Sequence, residues 1–121
     1  MLYNIPTSRD IFIEANGKRI AVVESYTSKV SRSQKAIKEF GNNNPVGIVN
    51  LDTSYILSLK RVYITDAIDF FKLENFNLVV CFPDKQVIYT NCQWNDISES
   101  IDIDKPIIES ITLTANNRVV V

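Results

Sequence analysis

The sequence contains no histidine among its 121 residues. Histidine is the usual general base at neutral pH, the usual partner of a serine or cysteine nucleophile, and the commonest metal ligand. Its absence argues against most hydrolase mechanisms and most zinc sites. We therefore expect no enzymatic activity, no catalytic residues, no metal site and no cofactor.

Cysteines and long apolar stretches are also scarce. Cys81 and Cys92 are the only cysteines, too few for a disulfide framework and not spaced as a metal-binding knuckle. They are predicted to be two buried thiols rather than a bridge or a site. No stretch approaches the roughly 20 apolar residues needed to cross a bilayer, and the N-terminus lacks the pattern of a secretory signal. We expect a protein that is made and stays in a cytoplasm, without a membrane partner.

Glycine and net charge exclude two further classes. The three glycines, Gly17, Gly41 and Gly47, lie outside any strand-to-helix turn, so no phosphate-binding loop is present. The net charge is −1 and no basic tail occurs, so a specific nucleic acid is not the expected partner. Hydrophobic residues make up 45% of the chain, which is enough for one core. The length predicts a single domain over residues 1–121.

Alternation of apolar and polar residues predicts a mainly β fold. The segment from Lys18 to Val30 alternates with Ile20, Val22, Tyr26 and Val30 on one face, which predicts one long half-buried strand. Asn16-Gly17 tolerates positive φ and predicts a hairpin turn joining this strand to the segment 11–15. Further strands are predicted at 54–64, 78–82, 86–94 and 107–115, with a turn at 83–85. The count is six or seven strands.

Two segments depart from this alternation. Ile64, Ile68 and Phe71 recur at helical spacing behind the potential caps Thr65 and Asp66, which predicts one short α-helix laid over the sheet. The segment Phe40–Gly47 contains two glycines, a proline and three asparagines, which predicts a loop without a regular ladder. A mobile surface connection is the simpler interpretation. The apolar residues flanking this polar tip instead favour a contact with a partner.

Charge is divided unevenly along the chain. Residues 1–40 contain seven Lys/Arg and four Asp/Glu, and residues 41–121 contain six and ten, so the two parts carry +3 and −4. Two clusters stand out: a basic one of Lys29, Arg32, Lys35 and Lys38, and an acidic one of Asp96, Glu99, Asp102 and Asp104. The acidic cluster lacks the glycine and ligand spacing of a calcium loop, so a solvated edge is favoured over a metal site. The basic cluster can equally be a charged edge that prevents wrong strand pairing.

The polarity of the charge favours a head-to-tail contact, since each copy then offers two different and complementary surfaces. The main alternative is a small β-fold module that binds a ligand or a nucleic acid. Such a module would stack bases or sugars on an aromatic face. The candidate aromatic residues are Tyr26, Tyr55, Tyr63, Tyr89 and Trp94, which on alternating strands are more often packed in a core.

Three stretches together resemble the tail tube proteins of bacteriophages. These are Gly17-Lys18-Arg19-Ile20 leading into Val22-Val23-Glu24-Ser25-Tyr26, then Phe40-Gly41 to Pro45-Val46-Gly47, and then Tyr55-Ile56-Leu57-Ser58-Leu59-Lys60-Arg61-Val62. The likeness extends to the predicted helix, to Tyr89–Trp94 and to the strand Ile111–Ala115. It covers most of the chain, although the sequence is shorter than a standard tube subunit.

The resemblance implies an antiparallel β-barrel or sandwich flanked by one short helix. It also implies a structural function, with six copies in a ring and rings stacked into the tail tube or the tube-proximal baseplate. The particle that the resemblance implies is a contractile phage tail or a phage tail-like bacteriocin, assembled in the bacterial cytoplasm. The implied partners are further copies and other tube, sheath or baseplate proteins. The candidate subunit-interface residues are those of the two charge clusters together with Phe40, Gly41, Asn43, Pro45, Val46 and Gly47.

Overall fold

The computed structural model describes residues 2–121, which form eight strands and two single-turn 3-10 helices. The strands are β1 (Phe12–Ala15), β2 (Lys18–Arg19), β3 (Val23–Lys38), β4 (Pro45–Val62), β5 (Phe76–Cys81), β6 (Gln86–Ser100), β7 (Ile108–Ala115) and β8 (Asn117–Val120). The 3-10 helices are Ser8–Asp10 and Phe70–Lys72. The predicted mainly β fold is confirmed.

All described strand pairs are antiparallel and follow the order β2-β1-β5-β6-β7-β4-β3, with β8 beside β6. The strands at the two ends of this order do not pair with each other, so the sheet is not closed into a barrel. Of the two expected forms, barrel or sandwich, the closed barrel is therefore wrong. The first half of β6 pairs with β5 and β8, and its second half pairs with β7. A single long strand thus connects the two halves of the sheet.

The core lies between these two halves, which bury side chains against each other. One half contributes Ile13, Ala15, Leu78, Val80, Val87, Tyr89 and Cys92, and the other contributes Leu57, Leu59, Ile111, Leu113 and Ala115. In β4 and β7 the buried residues alternate with more exposed ones, as expected for strands with one face on a core. Both cysteines are buried and free, as predicted.

The first hairpin is confirmed, but the long strand after it is interrupted. Asn16 and Gly17 have φ of 49° and 81°, which is the geometry of a tight two-residue hairpin turn between β1 and β2. The predicted strand from Lys18 to Val30 breaks between β2 and β3. Val22 adopts φ of 55° at this break and is exposed. Val30 is exposed as well, so the predicted buried face includes only part of the segment.

The later strands occupy the predicted positions with different lengths. β5 and β7 agree within about two residues, and the turn at 83–85 is confirmed by the pairing of Cys81 with Gln86. β4 begins at Pro45 and β6 continues to Ser100, so both are longer than predicted. The separate β2 and β8 bring the count to eight within the described residues, above the six or seven expected.

The predicted α-helix over residues 64–71 is wrong. Only the 3-10 turn Phe70–Lys72 is present there, and the side chain of Asp69, rather than Thr65 or Asp66, accepts the backbone N–H of Phe71. Asp66 has φ of 63°, which a right-handed helix does not allow. The carbonyl of Ile68 accepts a hydrogen bond from the Arg61 side chain. The backbone is thus anchored by a side chain from the sheet instead of by helical bonds.

Candidate assembly surfaces

The strands β3 and β4 extend beyond the body of the protein as a two-stranded ribbon. β7 pairs with β4 only over residues 55–62. The remainder of β4 pairs with β3 alone, and within residues 2–121 no third strand covers it. We call residues 31–54 the arm. Its eight residues on β3 correspond to a reach of about 25 Å at about 3.3 Å per residue.

Part of the loop predicted at Phe40–Gly47 is strand and belongs to the arm. Pro45 pairs with Lys38 and Gly47 pairs with Ile37, so the ladder continues to these residues. The unpaired turn covers only residues 39–44. The expectation of a loop without a regular ladder is therefore wrong for residues 45–47. These residues begin β4, and the β-branched Ile48 and Val49 that follow them pair with β3.

The arm exposes apolar side chains on both of its faces. Arg32 pairs with Thr53 and Gln34 pairs with Asn50, so β4 contains one extra residue and a bulge near the base of the arm. The exposed apolar side chains are Ile37, Val46, Ile48, Val49 and Leu51. An isolated two-stranded ribbon is marginally stable in water and is stabilised when it packs against another surface. These side chains make the arm a candidate contact surface.

Phe40 lies at the outermost point of the arm and is fully exposed. The backbone N–H of Asn42 donates to the carbonyl of Glu39 at 3.3 Å, and Gly41 has φ of 80°. This geometry is a type II turn, in which the third residue needs positive φ and is typically glycine. Asn42 also bonds the Glu39 carboxylate at 3.2 Å and the backbone N–H of Asn44 at 3.0 Å. The turn therefore presents Phe40 from a locally ordered tip.

The basic cluster lies on β3 and is exposed, but it does not form one row. Strand alternation places Lys29 and Lys35 on one face and Arg32 and Lys38 on the other. Within residues 2–121 none of the four forms an ion pair. Arg32, Lys35 and Lys38 lie within the arm and place cations on both of its faces. The arm also contains the acids Glu39 and Asp52, so its formal charge is +1.

The acidic cluster is also exposed and is divided between two faces. Asp96 pairs with Thr112 on β7, and Glu99 pairs with Glu109, so alternation places the two acids on opposite sides of β6. Asp102 and Asp104 lie in the turn between β6 and β7. No group of three or more metal-ligating side chains occurs within the described part of the chain.

A buried ion pair lies beside Glu99 and was not predicted. Arg61 and Glu109 face each other on β4 and β7, and both are buried. The Arg61 Nε and Nη2 atoms lie 2.9 Å and 2.8 Å from the Glu109 Oε2 atom. The guanidinium also stacks 4.7 Å from the ring centre of Phe70. These contacts fix residues 68–70 against the sheet.

The buried pair forms the floor of a cleft of about 350 Å³. We define the cleft by its lining side chains, which are Arg61, Tyr63, Ala67, Asp69, Phe71, Glu99, Ile107 and Glu109. Three carboxylates and one guanidinium give the cleft a formal charge of −2. Asp69 lies 4.0 Å from Lys72 and Glu109 pairs with Arg61, so Glu99 is the acid of the lining without an ion pair among the described residues.

The arm and the cleft lie at opposite ends of the same half of the sheet. The arm continues from the end of β4 where Tyr55 pairs with Ala115. The cleft lies at the other end, where Val62 pairs with Ile108 and Ser100 pairs with Ile108. A basic, apolar projection at one end therefore accompanies an acidic, concave surface at the other.

The aromatic residues do not form a common exposed face. Tyr89 is buried, and Tyr26 and Tyr55 pack against the core. Trp94 packs edge-on against Phe71 at 6.2 Å between ring centres. Burial raises the pKa of the Tyr26 phenol and raises the pKa of the Cys92 thiol to about 11. Tyr26, Tyr55 and Tyr89 are therefore core side chains rather than a stacking platform, whereas Tyr63 and Trp94 are partly exposed.

The sequence predicted interface residues in the segment that forms the arm and in the acidic segment, but it did not predict the cleft. The alternation of apolar and polar residues in β4 and β7 does contain a signal for the buried pair that forms the floor of the cleft. Arg61 follows Tyr55, Leu57 and Leu59 in the inward phase of β4, and Glu109 precedes Ile111 and Leu113 in the inward phase of β7. Opposite charges on inward positions of two strands predict a buried pair if the strands are neighbours. Their adjacency was not deducible from the chain order.

Comparison with known proteins identifies the fold. No family model matches the sequence, and no curated protein is significantly similar to it. The structure is similar to the sheath/tube terminator of an extracellular contractile injection system, PVC, at 14% identity and a TM-score of 0.74, over 99% of this chain and 98% of that chain. It is similar to the tube-terminating cap of the anti-feeding prophage at 10% identity and a TM-score of 0.72, over 100% and 93% of the two chains. A chain in the tail of an empty gene transfer agent particle, solved with C6 symmetry, matches at 13% identity and a TM-score of 0.70, over 97% and 98%. The tail-tube-like fold implied by the sequence resemblance is confirmed.

Proposed function

We propose that this chain is a structural subunit of a phage tail-like particle, in which copies assemble head to tail into stacked rings of six. Residues 1–121 form one tube-like domain. The rings belong to the tail tube or to the tube-proximal baseplate of a contractile phage tail or a related bacteriocin. Assembly takes place in the bacterial cytoplasm, and the partners are further copies together with other tube, sheath or baseplate proteins.

The observation that carries this proposal is the arm. It extends about 25 Å from the body, and it exposes apolar side chains on both faces that no strand among residues 2–121 covers. A projection of this kind has no role in the fold of its own subunit, because the core lies between the other parts of the sheet. It is explained when a neighbouring subunit covers it.

The comparisons and the charge distribution support the same proposal. The similar folds occur in a tube terminator, a tube cap and a particle tail, and the C6 symmetry of that tail supports six copies per ring. The opposite placement of the basic arm and the acidic end supports a heterologous contact, which closes into rings or extends into stacks. Within residues 2–121 no helix is long and apolar enough to span a membrane.

Assembly can be tested with purified protein at high concentration. We expect rings or tubes by negative-stain electron microscopy and large species by sedimentation, alone or after addition of baseplate partners. A protein that remains monomeric by light scattering at about millimolar concentration, with and without such partners, would refute the proposed function.

A charge-reversal variant tests the electrostatic part of the proposal. Reversal of Lys35 and Lys38 to glutamate should slow assembly, because the arm then repels the acidic end. Each exposed pair contributes only about 0.2 to 1 kcal/mol, so the melting temperature of the monomer should hardly change. Salt at about 1 M should reduce the difference, since the Debye length falls to about 3 Å. The matched control is K18E/K85E, which changes the net charge equally but lies outside the arm.

A further inference from the structure

The tip of the arm and the cleft are complementary in shape, and Lys38 at the tip offers a cation to the acids of the cleft. The neighbouring Glu39 carboxylate accepts a hydrogen bond from the Asn42 side chain within the tip. Phe40 is fully exposed at the tip, where burial of its ring would remove a large apolar surface from water. The walls of the cleft include Tyr63, Phe71 and Ile107, of which the first two are about half exposed. Pockets of about 300 to 1,000 Å³ enclose ligands of drug size, so 350 Å³ is sufficient for one aromatic side chain.

From this complementarity we infer that Phe40 of one copy inserts into the cleft of the next copy, with Lys38 beside Glu99. The inference rests on the proposed head-to-tail assembly and specifies its contact. The cleft is at the end of the sheet opposite the arm, so a chain cannot fill its own cleft. A second copy in the same orientation places its tip at this end.

Charge distinguishes this cleft from a second depression in the same chain. The second one is larger, about 640 Å³, and is lined by residues 6–8, 11–13 and 19–26. Its charged lining residues are Arg19 and Glu24, which cancel, and Glu24 lies 3.9 Å from Lys60. Among the described residues it offers no unpaired acid to Lys38. The cleft offers Glu99.

Cysteine cross-linking tests the contact directly. The variant F40C/I107C carries both partners of the contact in each chain, so oxidation of assembled protein should give a ladder of dimers, trimers and longer species on a non-reducing gel. The native thiols of Cys81 and Cys92 are buried with raised pKa values and should remain unreacted. The matched control is F40C/V119C, in which the second cysteine is exposed on β8 and should give no ladder.

Substitutions test the same contact without new thiols. F40A should raise the concentration required for assembly at least about tenfold, as expected for the loss of a central interface anchor, whereas F40W should retain assembly. K38E and E99K should each weaken assembly, and the double variant K38E/E99K should restore it because both charges are exchanged.

The outcomes separate this inference from the proposed function. Assembly by the wild type, with a ladder from F40C/I107C and rescue by the double reversal, would support the inference. Assembly that tolerates F40A, or that gives equal cross-linking in the F40C/V119C control, would overturn it and leave the proposed function in place. A cross-link from position 40 to a different protein would assign the arm to that protein and overturn contact between copies. A wild-type protein that never assembles would refute both.

Discussion

Replacement of Arg61 by methionine should be among the most destabilising substitutions in the chain. The guanidinium bonds the Glu109 carboxylate and the Ile68 carbonyl, and it stacks on Phe70. Methionine retains part of the apolar packing and removes all the hydrogen bonds. The substitution leaves a buried carboxylate without a partner and releases residues 68–70 from the sheet.

The expected loss can be estimated from the burial of both partners. Arg61 and Glu109 are 2% and 5% exposed, so solvent hardly screens the pair. Removal of one partner of a buried pair costs about 3 to 5 kcal/mol, and a carbonyl left without its donor costs about 1 kcal/mol or more. We expect R61M to lower the free energy of unfolding by about 4 kcal/mol. This is a large share of the 5 to 15 kcal/mol typical of domains.

Urea denaturation of the monomer, followed by tryptophan fluorescence at low temperature, measures this loss. K60M is the matched control, because Lys60 is the neighbouring residue and forms an exposed contact with Glu24 at 3.9 Å. It should change stability by less than about 1 kcal/mol. R61M/E109M removes both charges and should be more stable than R61M alone, since no unpaired charge remains buried.

A loss below about 1 kcal/mol for R61M would refute this reasoning, because the pair could then not be buried as described. A double variant no more stable than R61M would refute the electrostatic explanation. It would assign the loss to the contacts of Arg61 with Ile68 and Phe70 instead.

Three further predictions concern other parts of the molecule. V22G should raise the free energy of unfolding by about 1 kcal/mol, since a β-branched residue at φ of 55° is strained. The control V119G, in an exposed strand, should lower the free energy of unfolding by about 0.5 to 1 kcal/mol. Equal effects of the two substitutions would disprove strain at Val22. Burial raises the pKa of Cys92 from 9.0 to about 11, so the stability that its neutral thiol contributes should be complete below pH 9 and decline towards pH 11. A C92A variant with the same pH dependence of unfolding would exclude this thiol as the cause. Amides of residues 40–44 and 46–49 should exchange quickly in the monomer and slowly in the assembly, and equal hydrogen exchange in both states would remove them from the interface.

Local pattern predicted a large part of this fold. The turn residues Asn16 and Gly17 determined the first hairpin, because few other residues adopt positive φ without cost. Period-two alternation located β5, most of β7 and the core residues of β4, since burial on one face requires it. The absence of histidine and the polarised charge likewise favour assembly over catalysis, and both are properties of the sequence alone.

The remaining features depend on contacts between distant residues, which local pattern does not contain. Ile64, Ile68 and Phe71 have helical spacing, yet the Arg61 side chain binds the Ile68 carbonyl and an α-helix does not form. The arm could not be predicted from the sequence either, since the residues of its strands alternate like those of buried strands. Where the core ends along β4 is determined only by where β7 ends. The cleft requires β4, β6 and β7 to be neighbours.

The sequence by itself therefore determined the strand character, the first turn and the sign of charge on each part of the chain. These properties follow from side-chain chemistry and backbone freedom at neighbouring positions. Tertiary structure alone decided which strands pair, which apolar residues remain exposed on the arm, and that Arg61 and Glu109 are buried together. These features depend on pairing between residues far apart in the sequence, such as Arg61 and Glu109, which are 48 residues apart. At such separations the packing of the whole core offsets the entropy of loop closure and selects one register among several.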